Sequence, residues 1–576
     1  MTKNHIRVPQ PEKQENGDVH VTEGKATALI GHGDEVFYNP VQIVNRDLSI
    51  TLLNTYSEMR RQEWQQEKEM TPAERRRAAR KLAKHTFGDV EKLAAAAEER
   101  AAASEFPGLR VLEALSASGV RSMRYWKEIR GLQHLTVNDM DPAAVESIKK
   151  NVEMNSLPTE LVVPSLADAN LAMYQTMARD AKKFDVIDLD PFGSAAPFVD
   201  AAIRTVSEGG VLLVTCTDMS VLCGNNAETA LSLYGGVPLK GRDYCQEFAL
   251  RLLLHLLAQT AARYDRYIEP LASFRVDFYS RVFIRVRTSP SITKQWSTKS
   301  ARVLQARQGP AFYLEHAVRS ETRGTSTLYR PGYAHEFAKC PETDQNFTLG
   351  GPIWTGPLHN KDFLTKALEM LDNKEVFEEG QLGAKVRVKA LLTLAHQEVD
   401  SVLYYTTSGM ARAFGCPSLP HAKLASALIN AGFQYSRSHA DVDAFKTDAT
   451  TADIFDIYRQ WSKQHLKQES PETAEKKKKE SKKNKKKSHL VEFRRKLLEK
   501  PPLRELDWSK VDLPDLQVPL FLPNPQENWG PKARGKSHTQ QAQDARNHQR
   551  KKKAAKQRRS HPEANEEPPQ KQQRTE

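Results

Sequence analysis

The 576-residue chain has no apolar run long enough to span a membrane. Its first twenty residues carry Glu12, Glu15 and Asp18 and lack the apolar core of a secretory signal, which also disfavours a transit peptide. A soluble intracellular protein is therefore expected. Five cysteines, Cys216, Cys223, Cys245, Cys340 and Cys416, show no C-x-x-C spacing, so neither a disulfide framework nor a zinc site is indicated. They are expected to be reduced, and no metal is expected. Excess charge is also missing from most of the chain. Residues 1–470 hold 57 Lys+Arg against 57 Asp+Glu, whereas residues 471–576 hold 28 against 15, so the formal net charge of +13 belongs to the tail.

That tail contains two basic clusters, KKKKESKKNKKK from Lys476 to Lys487 and KKKAAKQRR from Lys551 to Arg559, in a setting rich in Pro, Gln and Lys with little to bury. Such composition predicts a largely disordered segment over 469–576. Basic runs gather a polyanion by counterion release or act as nuclear import signals. Lys476, Lys477, Lys478 and Lys479 are the candidate RNA contacts. The nucleus is the expected compartment, and the division with mitochondrial and cytoplasmic pools is left open.

The length exceeds what one hydrophobic core usually serves. Residues 57–105 are dominated by Glu, Arg, Lys and Ala and read as a helical, charged surface insertion. From Arg110 strands alternate with helices. Strands are expected at Val111–Leu115, His134–Asp139, Glu160–Val163, Phe184–Asp190 and Gly210–Thr217, a long helix at Asp243–Ala262, and a hairpin at Tyr267–Phe274 and Phe278–Arg287. This is an α/β pattern, a parallel sheet covered by helices, and it resembles the Rossmann-like sheet of class I methyltransferases. Residues 291–350 give no clear assignment. Beyond them, helices at Ala384–Asp400, Ser418–Ala431 and Ala452–His465, a strand at Leu403–Thr407 and an alternating run at Phe433–Ser438 resemble a winged-helix-like α+β module.

The segment richest in chemistry is FDVIDLDPFG, residues 184–193. An apolar strand here ends in Asp190, at the sheet edge where open α/β sheets place their ligands. Pro191 has no backbone donor but keeps its carbonyl, Phe192 offers a stacking face, and Gly193 permits a tight turn. An adenosyl cofactor needs a close turn after the first strand and an acid after the second to accept ribose hydroxyls. The turn is EALSASG at 113–119, and the acid is Asp139. Asp168, followed by Ala169 beyond the third strand, is positioned to meet an adenine amino group. No G-x-G-x-x-G follows the first strand, which disfavours a dinucleotide site.

These blocks resemble the tRNA guanine-26 N2-dimethyltransferase family. VTEG (21–24), EVFYNPVQIVNRD (35–47), EALSASGVRSMR (113–124), ND (138–139), FDVIDLDPFGS (184–194), VTCTDMSVLCGN (214–225), LGGPIWTGPLH (349–359), KTDA (446–449) and ENWGP (527–531) occur in order. The resemblance implies S-adenosyl-L-methionine as cofactor and tRNA as substrate. It further implies Arg46, Arg121, Asp139, Asp168 and Ala169 as cofactor contacts, Asp190 with the Pro191 carbonyl as the catalytic acceptors of the guanine amine, and Phe37 and Phe192 as the rings that hold a flipped base. Some relatives carry two pairs of cysteines before LGGP; here Cys340 stands alone.

The expected organisation is a disordered N-terminus over 1–20, a methyltransferase domain over 21–290 interrupted at 57–105, a family-specific tRNA-binding domain over 291–468 and the basic tail. A monomer is expected. The competing readings are an N6-adenine methyltransferase and a non-catalytic tRNA-folding factor.

Overall fold

The computed structural model describes residues 6–15, 17–30, 38–86, 90–177, 182–324, 326–465, 485–513, 518–525 and 529. Its centre is a seven-stranded mixed sheet formed by β1 (Leu109–Glu113), β2 (Leu132–Asp139), β3 (Val162–Leu166), β4 (Phe184–Leu189), β5 (Val206–Cys216), β6 (Arg266–Val276) and β7 (Tyr279–Thr288). The spatial order is β3-β2-β1-β4-β5-β7-β6. The first five strands are parallel, and β7 runs antiparallel to both β5 and β6. Strand order reverses between β1 and β4, which opens a crevice at their carboxyl ends.

The central strands are apolar on both faces because helices cover both. Val111, Val186, Val211 and Leu213 point into one core with Ile43, Leu48 and Leu52 of α1 (Ile43–Glu69). Leu112, Ile187, Leu212 and Val214 point into the other with Leu250, Leu253 and Leu257 of a long helix at Cys245–Ala262. Between β1 and β2 lies α2 (Val120–Glu128), and α3 (Pro142–Met154) and α4 (Ala169–Tyr174) follow β2 and β3.

Three sequence expectations change. The charged surface stretch from 57 is not a separate element: α1 runs unbroken for 27 residues from Ile43, buried as far as Ser57, and its second half and the helices Pro72–Thr86 and Val90–Ala102 are surface elements. Residues 291–350 are β-rich, with a three-stranded sheet in which Ser300–Ala306 lies between Phe312–His316 and Phe347–Trp354, and a separate hairpin of Val318–Arg323 and Ser326–Pro331. Part of the tail is ordered. Lys485–Glu499 is a helix whose Phe493 and Leu497 are buried, and Trp529 of ENWGP is buried as well. Phe493 and Leu497, four residues apart, form an apolar stripe within a lysine-rich context. The basic clusters 476–484 and 551–559 lie outside the described residues.

Beyond residue 290 the chain extends the same two cores. Phe363, Leu364 and Leu371 of Lys361–Asp372 and Val388 and Leu392 of Lys385–Gln397 pack with Ile43 and Leu52. Helices Thr407–Phe414, His421–Asn430 and Thr451–His465 surround a small sheet of Tyr405–Thr406, Ala444–Lys446 and Ser436–Arg437. The expected strand at 403–407 is shorter, Tyr405–Thr406, because a helix begins at Thr407, started by the Thr406 hydroxyl accepting from the Gly409 N–H at 3.0 Å and ended by Gly415 at φ 71°.

Because Leu364 is fully buried against α1, Leu364→Ala is expected to destabilise the whole protein by about 2–5 kcal/mol. Chemical denaturation checks this; an unchanged midpoint would mean that the helix Lys361–Asp372 adds nothing to the common core.

Candidate active site at the carboxyl edge of the sheet

Where β4 ends, Asp190 keeps 15% of its side chain exposed. Pro191 is buried, and Phe192, 52% exposed, lies at the surface. Gly193 has φ 90°, a conformation that L-residues rarely adopt. Its N–H donates to Thr217 Oγ1 at 2.8 Å and its carbonyl accepts from the Thr217 N–H at 2.9 Å, which staples the turn to the end of β5. No backbone donor among the described residues takes up the Pro191 carbonyl.

Beneath Asp190 lies a buried ionic cluster. Arg121, in the first turn of α2, donates from Nη2 to Asp190 Oδ2 and from Nη1 to Asn45 Oδ1 at 2.9 Å. Its Nε lies 3.3 Å from Glu113 Oε1 and its Nη1 3.6 Å from Asp188 Oδ2. Asp188, fully buried, accepts both Arg281 nitrogens at 2.7 and 2.9 Å and the Tyr125 hydroxyl at 2.6 Å. Arg281 also donates to Thr215 Oγ1 and Ser49 Oγ. Burial pushes Asp188 up, but Arg281 and Arg121 outweigh it and hold this carboxyl below the usual carboxylate range. Glu113 goes the other way. Burial, only partly offset by Arg121 and reinforced by Asp188, pushes it up to about 8. At neutral pH Asp188 is therefore ionised between its two guanidiniums while Glu113 keeps its proton.

One helical turn on, Arg124 organises a second cluster. It donates to Glu23 Oε1 at 2.6 Å and Glu128 Oε1 at 2.7 Å and lies 2.8 Å from Asp47 Oδ1. Arg46 engages both oxygens of Glu23, with the Tyr38 ring 5.3 Å from its guanidinium carbon. Burial raises Glu23, but Arg46 and Arg124 bring it down to about 2, whereas burial leaves Asp47 up at about 6 despite Arg124. Arg46, expected at the cofactor, thus spends most of its donors on Glu23 and the Asn39 carbonyl.

The turn after β1 is tight, with Ala117 at φ 48° and Gly119 at φ 73°. Asp139 closes it, accepting the Ala117 N–H at 2.8 Å and the Asp141 N–H at 3.0 Å. Asn138 donates to the Ala114 and Ala167 carbonyls, joining the ends of β1 and β3. Asp168 is exposed and caps α4 by accepting the Asn170 and Leu171 N–H groups, with Ala169 buried behind it. Two buried polar atoms at this edge lack a partner among the described residues: Asn45 Nδ2, beside Arg121, and Asn138 Oδ1. An amide donor and an amide acceptor left over here suit a ligand bearing a carboxylate, hydroxyls and amino groups. Phe37 and Lys476 to Lys479 lie outside the described residues.

Among the described residues one trio could share a metal ion, the buried His359, Glu398 and His439. Its chemistry opposes a cation. His439 Nδ1 already bonds Glu398 Oε1 at 2.6 Å, and the Lys446 ammonium lies 3.4 Å from Glu398 Oε2 and 3.2 Å from Glu247. The trio is a buried polar junction between β6 and the C-terminal elements.

Sequence reasoning brought Asp190 and Arg121 together only as separate members of the site and overlooked Glu113, Asp188, Asn45 and Arg281. The available signal was a carboxylate inside an apolar strand, twice: Glu113 in RVLEAL and Asp188 in VIDLD. Such a group needs a buried cation.

A family model described as N2,N2-dimethylguanosine tRNA methyltransferase matches residues 16–459. The chain is 35% identical to the tRNA (guanine(26)-N(2))-dimethyltransferase of Mus musculus over 571 residues, covering 93% of this chain and 81% of that one. It is equally identical, over 531 residues, to the mitochondrial tRNA (guanine(26)-N(2))-dimethyltransferase of Saccharomyces cerevisiae, covering 89% and 92%. The solved complex of Trm1 from Pyrococcus horikoshii with S-adenosyl-L-methionine aligns with a TM-score of 0.58 and 26% identity over 78% of this chain and 100% of that one.

The Glu113 carboxyl, raised from 4.5 to about 8 in the fold, contributes stability below 4.5 that is lost as pH rises to about 8. Glu113→Gln, which cannot ionise, is expected to flatten the decline in melting temperature between pH 5 and 8. Parallel profiles for the two proteins would show that Glu113 does not hold a proton there.

Proposed function

The chain belongs to the N2,N2-dimethylguanosine tRNA methyltransferase family, and from that premise we propose how its sheet edge performs the reaction. The protein is an S-adenosylmethionine-dependent enzyme that dimethylates N2 of guanine 26 in tRNA. The observation that carries the assignment of roles is Asp190 held by Arg121 at the strand-order reversal, beside the β1 turn.

Asp139 and the 116–119 turn, with Asp168 and Ala169 at the next strand end, would hold the adenosyl part of the cofactor. The free amide donor of Asn45 and the remaining donor capacity of Arg46 and Arg121 suit its carboxylate end. When bound, S-adenosylmethionine would supply a methyl group made electrophilic by its sulfonium, the methyl–sulfur bond breaking to leave a neutral thioether.

The guanine amine is a poor nucleophile because its lone pair is delocalised into the ring. Asp190, fixed by Arg121 on Oδ2, accepts one amine hydrogen on Oδ1, and the Pro191 carbonyl accepts the other. Two acceptors draw the nitrogen toward a tetrahedral form and release its lone pair for attack. As the new N–C bond forms, the amine proton passes to Asp190. The second methylation repeats this with the hydrogen that remains.

A paired guanine cannot reach the edge without leaving its stack. Phe192 and Phe37 stack on the flipped base, offsetting an unstacking cost of a few kcal/mol with roughly 1–3 kcal/mol per base. Residues 291–468, including the winged-helix-like module of 384–465, supply shape and phosphate contacts. The basic clusters of the tail direct the protein to the nucleus; that the yeast relative is named mitochondrial supports a second pool.

The test is mass spectrometry of nucleosides from tRNA bearing guanine 26, incubated with enzyme and cofactor. Asp190→Asn is expected to lower kcat by about 10² to 10⁴, with binding of labelled S-adenosylmethionine retained; near-normal turnover would remove Asp190 from the chemistry. Phe192→Ala is expected to lower kcat/KM for tRNA by roughly 5- to 150-fold. Phe192→Trp should restore most of it, and failure of every aromatic replacement would argue against stacking.

A further inference from the structure

The hairpin Val318–Arg323 and Ser326–Pro331 stands apart from both cores. Its register pairs Arg319 with Arg330, Glu321 with Leu328 and Arg323 with Ser326. Since alternate residues share a face, Arg319, Arg323 and Arg330 stand together on one side. Glu321 is the acid between them, bonding Arg323 at 2.8 and 2.9 Å and Arg330 at 3.0 Å. Three guanidiniums against one carboxylate leave an excess of positive charge, and Arg319 lies directly opposite Arg330.

Directly opposed like charges destabilise a strand pair, and an isolated two-stranded hairpin is marginal in water. A further feature points outward. Tyr333 is 76% exposed, and the Arg319 guanidinium lies 4.4 Å from its ring centre. Arg forks and an exposed aromatic ring are the side chains that meet phosphates and unstacked bases.

The hairpin is also joined to the catalytic edge. Ser194, after the Asp190 turn, bonds the Tyr234 hydroxyl at 2.6 Å, and Val237 exchanges two backbone hydrogen bonds with Gly351. Gly351 lies in the strand Phe347–Trp354, which pairs with Ser300–Ala306, which pairs with Phe312–His316. Ala317 alone separates that last strand from the hairpin.

We propose that this hairpin is a tRNA-binding arm, in which Arg319, Arg323 and Arg330 grip backbone phosphates of the same tRNA whose guanine enters the Asp190 site. The proposal rests on the tRNA substrate assigned above. Phosphate contact also accounts for the charge arrangement, because an anion laid across the face relieves the Arg319–Arg330 repulsion.

The test uses full-length enzyme carrying R319Q, R323Q and R330Q together, with transcribed tRNA bearing guanine 26. These side chains lie outside the core, so the melting temperature should be unchanged. KM for tRNA is expected to rise about tenfold or more, and the slope of log Kd against log salt to fall by about 2–3, one phosphate contact per arginine. kcat at saturating tRNA and binding of labelled S-adenosylmethionine should stay within twofold of wild type. An unchanged KM and salt slope would overturn the arm and leave the face to some other occupant. Should wild-type enzyme itself fail to methylate the tRNA, the assigned reaction falls instead, so the two failures are distinguishable.

Discussion

The grip of Arg121 on Asp190 depends on α2, which carries two buried arginines one turn apart. Arg121 reaches toward β1 and β4, and Arg124 reaches back to Glu23, Asp47 and Glu128. A single charge in a protein interior is too costly to keep, so each guanidinium must be matched where it stands. Each cluster contains three acids for two arginines. Burial answers the surplus by raising one acid in each, Glu113 to about 8, so that it holds a proton at neutral pH, and Asp47 to about 6. Arg121 therefore has its partners in place before any ligand arrives, and Asp190 is fixed without depending on one.

This pairing explains why widely separated sequence blocks belong together. VTEG supplies Glu23, NRD supplies Arg46 and Asp47, SGVRSMR supplies Arg121 and Arg124, and the β7 strand supplies Arg281. Two other blocks meet elsewhere. His359 of LGGPIWTGPLH and Lys446 of KTDA converge on Glu398, with His439 and Glu247 completing a buried junction. That junction ties β6 to the elements after residue 385, since His359 Nδ1 accepts the Ser273 N–H and His439 Nε2 accepts the Arg275 N–H. The C-terminal half is thus fastened to the catalytic sheet by polar groups as well as by the shared cores.

The sheet was legible because its strands are apolar on both faces and its turns carry their own chemistry: the expected ends at Asp139 and Asp190 differ from the observed ones by no more than one residue. Elements that owe their form to distant partners were not. The long helix α1 is one: its buried Asn45, Arg46 and Asp47 find their partners at Arg121, Glu23 and Ala384, far along the chain. The hairpin at 318–331 has little apolar alternation, as a pair of strands exposed on both faces must. For the site, position and residue type pointed to Asp190, whereas its dependence on Arg121 required knowing that the first turn of α2 lies against the end of β4.

The proposed transfer releases a proton, and the cluster restricts where it can go. Glu113, raised to about 8, already carries one at neutral pH and cannot take another. Asp188 is enclosed by Arg281, Tyr125 and Arg121, and those donors hold it below the usual carboxylate range despite its burial. Protonating it would break two ion pairs in a site without water access. Asp190 alone in this group combines contact with the buried network and an exposed face. A proton taken there during methyl transfer can leave to solvent once the product base withdraws, while Arg121 keeps the carboxylate in register for the second methyl. The same network that fixes the acceptor thus leaves Asp190 as the one member open to proton exchange.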